Sequence, residues 1–297
     1  MAWETPVCFR PMPANFYALG AIALWVSLAT LGVALKHIPP FLLTGISLLI
    51  GSLLALPFVL KDRRAWHIPA STLALGVCGL FGYHFLLFIA LRHAPAVEAN
   101  LVNYLWPLLM VVLSPVLLVG IQLRALHVLA ALLGFSGAAI AILGASQGTA
   151  GSGWSWGFLP ALASAFIWAS YSLLTQRVKP FPTAAIGLFG LVSGLLSLLC
   201  HWALEPQVAL SSRDWLLLAM MGMGPLGASF FLWDKALKLG DARQIGILSY
   251  LTPLGSTTLL ILVSGRPLTW SVGLAGLLIV GAAALGTRPS PAMRPKN

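Results

Sequence analysis

The sequence predicts an all-α integral membrane protein, with ten transmembrane helices arranged as two inverted five-helix repeats. Three observations carry that prediction: long apolar runs almost free of charge, a one-sided distribution of Lys and Arg between the runs, and a motif that recurs at a near-constant offset. Hydrophobic residues fill 59% of the 297 positions and charged residues only 8%, against roughly 25% charged in an ordinary soluble domain. So few charges cannot clothe a soluble fold of this length, so most of the surface must face lipid. In lipid only helices and closed barrels satisfy every backbone N–H and C=O. A barrel demands short segments of alternating polarity, whereas these runs are continuous and rich in Leu, Ala and Gly.

A crossing takes about 20 residues. The runs place helices at 16–35, 41–60, 71–91, 96–119, 125–145, 155–176, 182–202, 215–237, 242–263 and 269–287. The gaps are short, so successive helices are antiparallel. Twelve Lys and Arg residues, from Arg10 to Lys296, fall in one alternate set of gaps; four (Lys36, Arg92, Arg213 and Arg266) fall in the other, and Lys235 lies within a span. Basic residues favour the cytoplasmic side, so both ends are expected there: the N-terminal segment 1–15 and the basic tail 288–297. This distribution makes the net charge of +10 a topology signal, and no nucleic-acid partner is expected. The first apolar run is long enough to span, unlike a cleavable leader. Cys8, Cys78 and Cys200 form no CxxC pair, so neither a metal site nor a disulfide framework is suggested, and no cofactor is expected.

The halves resemble each other. ALRHAPAVEANLVNYLWP, Ala90 to Pro107, aligns with ALKLGDARQIGILSYLTP, Ala236 to Pro253, at an offset of 146 that pairs Tyr104 with Tyr250 and Pro107 with Pro253. Trp25, Ser27 and Lys36 match Trp168, Ser170 and Lys179 at 143, and Arg124 and Gly134 match Arg266 and Gly276 at 142. The repeats are therefore 16–145 and 155–287, with five helices in each. Five is odd, so the second repeat enters the membrane upside down. Inverted repeats mark transporters, with the substrate near the midplane where the halves meet.

Polar residues then pick out helix faces. In the fourth helix Asn100, Asn103, Tyr104 and Pro107 stand at i, i+3, i+4 and i+7, one face. Amides are costly against lipid, so this face turns inward, to line a pathway or to bond a neighbouring helix. Its counterpart in the ninth helix is Gly246, Ser249, Tyr250 and Pro253, extended by Ser256 and Thr257. Pro107 and Pro253 each remove a backbone donor, which predicts matched bends or hinges. In the sixth helix Ser164, Trp168, Tyr171, Ser172 and Thr175 share a face with Trp168 well inside the span. Trp154, Trp156, Trp202, Trp215 and Trp270 fit the interfacial belt. Trp25 shares its face with Ala21, Leu28, Ala29 and Gly32, which reads as packing. His84 lies eight residues before Arg92, about 12 Å inside the boundary, and is a cavity candidate. Asp234 and Lys238 are spaced as a helix ion pair. Asp234 and Lys235 are candidates for a cytoplasmic gate, and Lys235 equally for a snorkelling anchor.

With its two five-helix repeats, nearly the whole chain resembles the EamA family of the drug/metabolite transporter superfamily. Within it, GYHFLLFIALRHAPAVEANLVNYLWPLL and GASFFLWDKALKLGDARQIGILSYLTPL are similar to the aromatic amino acid exporters; Tyr83-His84 and Asn103-Tyr104-Leu105-Trp106-Pro107 are the more specific stretches. The resemblance implies export of amino acids, aromatic ones included, across a bacterial inner membrane, with Tyr83, His84, Tyr104, Trp106 and Trp168 in the cavity. The chain is expected to act as a monomer in the lipid bilayer. His84, Asn100, Asn103, Tyr104 and backbone freed by Pro107 offer partners for a zwitterion, and Tyr83, Tyr104, Trp106 and Trp168 offer ring faces. A largely uncharged cavity suits many neutral amino acids. No buried acid cluster suggests ion coupling, which favours facilitated diffusion over a proton exchange through Asp234 or His84. The sequence has no HExxH, and His84 has no evident serine partner, which argues against an enzyme; a channel and an exporter of other metabolites or drugs are the open alternatives.

Overall fold

The computed structural model describes residues 13–145, 154–263, 265 and 270–286. Most of the N-terminal segment, the basic tail 288–297 and Arg266 lie outside them. Every regular element among the described residues is helical. Eight segments are long and apolar enough to cross a membrane: α1 (Ala14–Ala34), α2 (Pro40–Lys61), α3 (Ala70–His93), α4 (Ala96–Leu117), α5 (Ala125–Gly144), α7 (Ala185–Leu204), α8 (Ser212–Leu239) and α9 (Ala242–Val263). Two shorter apolar helices, α6 (Phe158–Leu174) and α10 (Trp270–Gly286), have 17 residues each, the lower limit for a crossing. Proline precedes the first residue of α1 to α4 (Pro13, Pro39, Pro69 and Pro95), where a missing N–H costs nothing. A Ser211–Asp214 capping box starts α8, and the Asp241 carboxylate starts α9 by accepting from Arg243 N–H.

The helices are interrupted at matched places. α3 carries a π-turn at Cys78–Gly82 and α8 another at Gly224–Ala228, the same 146-residue offset that relates the sequence motifs. α4 breaks at the Tyr104–Leu105 turn and α9 at Ser249–Tyr250. Each break lies just ahead of Pro107 or Pro253, as it must: a proline has no N–H for the carbonyl four residues back, and its ring crowds that turn. The helix breaks thus lie on the N-terminal side of the two prolines.

Packing exchanges the repeats. α1 lies on α8 and α6 on α3, the first helix of each repeat against the third of the other; likewise α4 lies on α6 and α9 on α1. α2 packs on α7 and α5 on α10, mate against mate. Reciprocal pairing of this kind is what a two-fold relation between the repeats requires. Small residues permit the close approaches. A Cβ on Gly134 would stand 2.4 Å from the Tyr250 ring, whereas one on Gly273 meets nothing within 4 Å. We therefore expect Gly134→Ala to lower stability by about 1–3 kcal/mol, the usual cost of overpacking, and Gly273→Ala to leave it unchanged, as read from thermal unfolding in detergent.

Candidate functional site

A cavity of about 650 Å³ lies between the repeats, within the roughly 300–1,000 Å³ of small-molecule sites. Its walls come from α1 (Trp25, Leu28, Ala29, Gly32), α3 (Tyr83, His84, Leu87, Phe88), α4 (Asn100, Asn103, Tyr104, Trp106), α8 and α9. Lys36 and Arg92, both exposed, stand at its mouth.

At the other end the cavity stops on a layer of indoles. Trp25 from α1, Trp106 from α4, Trp168 from α6 and Trp233 from α8 converge there. Ring centroids are 6.0 Å apart for Trp25–Trp168, 5.1 Å for Trp25–Trp233, 5.6 Å for Trp106–Trp233 and 6.3 Å for Trp106–Trp168. Most of these pairs are edge-to-face or tilted, the arrangement the ring quadrupoles favour. Phe230 and Tyr83 complete the layer, 5.7 and 5.4 Å from Trp168. Trp233 is only 1% exposed, and its indole N–H donates to Ser172 Oγ at 3.1 Å, so the one polar atom of that ring is satisfied.

The polar wall is fixed by helix-to-helix bonds. Asn103 donates from Nδ2 to Tyr83 Oη at 3.1 Å and accepts at Oδ1 from Ser164 Oγ at 3.0 Å. It thus lines the cavity and ties α4 to α3 and α6. His84 Nδ1 donates to Leu80 C=O at 2.6 Å, inside the π-turn, which leaves Nε2 as the ring's other polar atom. Ser229 Oγ donates to Pro225 C=O in the π-turn of α8, one position earlier in the repeat register. Among the described residues no group of three or more His, Cys, Asp and Glu could hold a metal.

Beyond the indole layer, that end is latched. Asp234 Oδ2 accepts from Thr183 Oγ1 at 2.7 Å and from Lys238 Nζ at 2.6 Å. Lys238 Nζ also donates to Phe181 C=O at 2.8 Å and stands 3.9 Å from the Phe181 ring centroid. Gln176 Nε2 donates to Leu237 C=O at 2.9 Å. Together these bonds tie the end of α8 to the α6–α7 connection. Nearby, burial alone would raise the Asp241 carboxyl, but the Arg243 guanidinium and backbone N–H outweigh it and hold it below the usual carboxylate range.

Of the ten residues expected at the substrate, Tyr83, His84, Asn100, Asn103, Tyr104, Trp106 and Trp168 line the cavity. The other three lie elsewhere. Tyr171 is buried against Gly79, and Ser172 lies under the floor as the acceptor of Trp233. Tyr250, the repeat mate of Tyr104, is packed on Gly134 of α5. The two gate candidates also separate: Asp234 is buried in the latch, and Lys235 is exposed. Trp25 corrects the sequence reading in the other direction. With Leu28, Ala29 and Gly32 it lines the cavity, because an apolar face serves a mostly apolar cavity as well as it serves packing. Trp233 and Phe230 were not singled out by sequence. Their signal is a Trp and a Phe three residues apart in the segment whose mate, GYHFLLFIAL, carries Tyr83 and His84.

The site gives a stability test that separates the two amides. Asn103→Leu removes the amide that joins Tyr83 to Ser164, which keeps its bond to Ala161 C=O, and should cost about 1–3 kcal/mol through the Tyr83 hydroxyl left without its partner. Asn100→Leu, on the cavity wall, should leave the melting temperature unchanged. Thermal unfolding of both variants in detergent checks this.

Comparison with known proteins agrees with this architecture. Residues 12–143 and 155–288 each match the EamA-like transporter family. The chain is 39% identical over 283 residues to the aromatic amino acid exporter YddG of Ancylobacter novellus, covering 92% of this chain and 96% of that one. It is 29% identical over 289 residues to the aromatic amino acid exporter YddG of Escherichia coli, with the same coverage of 92% and 96%. A solved crystal structure at 37% identity superposes with a TM-score of 0.85, covering 92% of this chain and 97% of the other.

Proposed function

The chain belongs to the EamA-like transporter family, and on that premise we propose that it exports amino acids, aromatic and other neutral ones, from the cytoplasm of a bacterial cell. The observation that carries this reading is the cavity between the repeats, floored by the indoles of Trp25, Trp106 and Trp168 with Trp233 packed behind them, and walled by Tyr83, His84, Asn100, Asn103 and Tyr104. Indoles accept an aromatic or aliphatic side chain by stacking and apolar contact. The amides and hydroxyls serve the zwitterionic end. Few of these contacts demand a particular side chain, which suits broad selectivity.

The protein works as a monomer in the inner membrane, both termini in the cytoplasm, and carries solute instead of transforming it. The Lys36–Arg92 end then faces the periplasm, and the described conformation is open outward. Transport exchanges the two ends by alternating access, with the latch of Asp234, Thr183 and Lys238 breaking as the Lys36–Arg92 mouth closes. The matched π-turns and proline breaks are where α3, α4, α8 and α9 would flex. Among the described residues that line the cavity none is a carboxylate, which supports facilitated diffusion.

Pure protein in liposomes tests the reading. Labelled phenylalanine and threonine should cross in a saturable way, with counterflow, and a pH gradient should not be required. Trp168→Ala should lower phenylalanine flux at least tenfold. Absence of amino acid flux, with flux of a drug-like cation instead, would favour the alternative of an exporter for other solutes. Strict dependence on the pH gradient would replace facilitated diffusion by proton coupling, with His84 or Asp234 as carrier.

A further inference from the structure

The mouth of the cavity carries a charge arrangement that the proposed function leaves unused. Arg92 Nη2 donates to Glu205 Oε1 at 2.7 Å, and the guanidinium carbon lies 5.7 Å from the Phe41 ring centroid. The Glu205 side chain is fully buried. It also accepts from Phe41 N–H at 3.1 Å and Leu42 N–H at 3.2 Å, both in the first turn of α2, and faces His201 Nδ1 at 3.0 Å. The negative charge of Glu205 is thus divided among a helix N-terminus, an imidazole and one guanidinium nitrogen. Such a carboxylate holds Arg92 in place while leaving much of its positive charge, and further donors of its five, for another anion.

Position favours such an anion inside the cavity. Arg92 lines the cavity at the end of α3. Side chains on a helix lean towards its N-terminus, which for α3 is towards His84 and the indole floor. Lys36 is the second cation at the mouth, and among the described residues that line the cavity there is no Asp or Glu. The cavity is therefore polarised along its length, aromatic at the floor and cationic at the mouth. An aromatic solute with a carboxylate at its far end matches both.

We propose that Arg92, oriented by Glu205, binds the substrate carboxylate at the mouth, so that the transporter selects aromatic carboxylates over aromatic amines. Arg92 is the recognition residue and Glu205 the positioning residue. The inference rests on the transport reading and names the chemical class that reading admits. A guanidinium meets a carboxylate through parallel N–H···O bonds, stronger than a neutral pair; an amine finds only repulsion there. Loss of one charged hydrogen-bonding partner corresponds to about a tenfold change in affinity.

The test is flux into proteoliposomes of labelled phenylalanine, phenylpyruvate and phenethylamine, which share a ring and differ at the other end. The wild-type protein should prefer the two carboxylates over the amine by about tenfold or more. Arg92→Gln should raise the phenylalanine and phenylpyruvate KM about tenfold with phenethylamine flux kept or increased. Arg92→Lys should restore part of the selectivity, and Glu205→Gln should shift it the way Arg92→Gln does, to a smaller extent. A merely structural ion pair would lower all three fluxes together, and that result, or unchanged selectivity in Arg92→Gln and Arg92→Lys protein that elutes and melts like wild type, overturns the assignment. A wild-type protein that prefers the amine overturns it too. A wild-type protein that moves none of the three solutes, nor threonine, rejects the amino acid reading itself and the assignment with it.

Discussion

Trp25 and Trp168 hold equivalent places in the two repeats and touch each other at 6.0 Å in the middle of the molecule. Trp106 and Trp233 close around them. Four bulky rings from four helices occupy the place where an inverted-repeat protein brings its halves together, and much else follows. The cavity lies on one side of the rings, walled by α1, α3 and α4. The other side is closed because Ser172, Asp234, Thr183 and Lys238 secure α8 beneath them. The rings thus divide an apolar bundle into one end that admits solute and one that does not.

A protein with repeated halves and one open end cannot place equivalent residues in equivalent surroundings. Tyr104 lines the cavity while Tyr250 is buried on Gly134. A Cβ on Gly276, the mate of Gly134, would meet only Leu254 among the described residues, at 3.9 Å. Arg92 and Lys238, related by the 146-residue offset, show the same division. Lys238 is drawn onto a carbonyl, a carboxylate and the Phe181 ring at the closed end. Arg92 has a carboxylate and a ring of its own, Glu205 and Phe41, but it borders the open cavity. The repeat mates thus stand in different surroundings in the described conformation.

Sequence made the helices, the repeat and most of the polar wall readable, because lipid imposes length and periodicity on apolar runs and penalises stray amides. It misplaced Tyr250 because repeat symmetry is a property of the chain, and the open cavity breaks it. It read Trp25 as packing because Leu28, Ala29 and Gly32 carry no polar mark, and an apolar cavity needs none. Lys36 and Arg92 registered only as topology signals, since a charge at a helix end serves that purpose whether or not it also borders a cavity. Glu205 gave no signal: its partners lie in α2, α3 and α7, and only folding brings them to one carboxylate.

The most direct measurement of the central claim is a pair of distances across the two ends. Spin labels at Lys36 and His93 report the mouth, and labels at Lys179 and Leu239, their repeat mates, report the latched end; both pairs are exposed. Double electron–electron resonance on cysteine-free background protein in lipid should give a wide mouth and a narrow latched end without solute. With phenylalanine a second population should appear, in which the mouth distance shortens as the other lengthens. Distances that never change, or that change at both ends in the same sense, would contradict a central aromatic layer about which the two ends exchange.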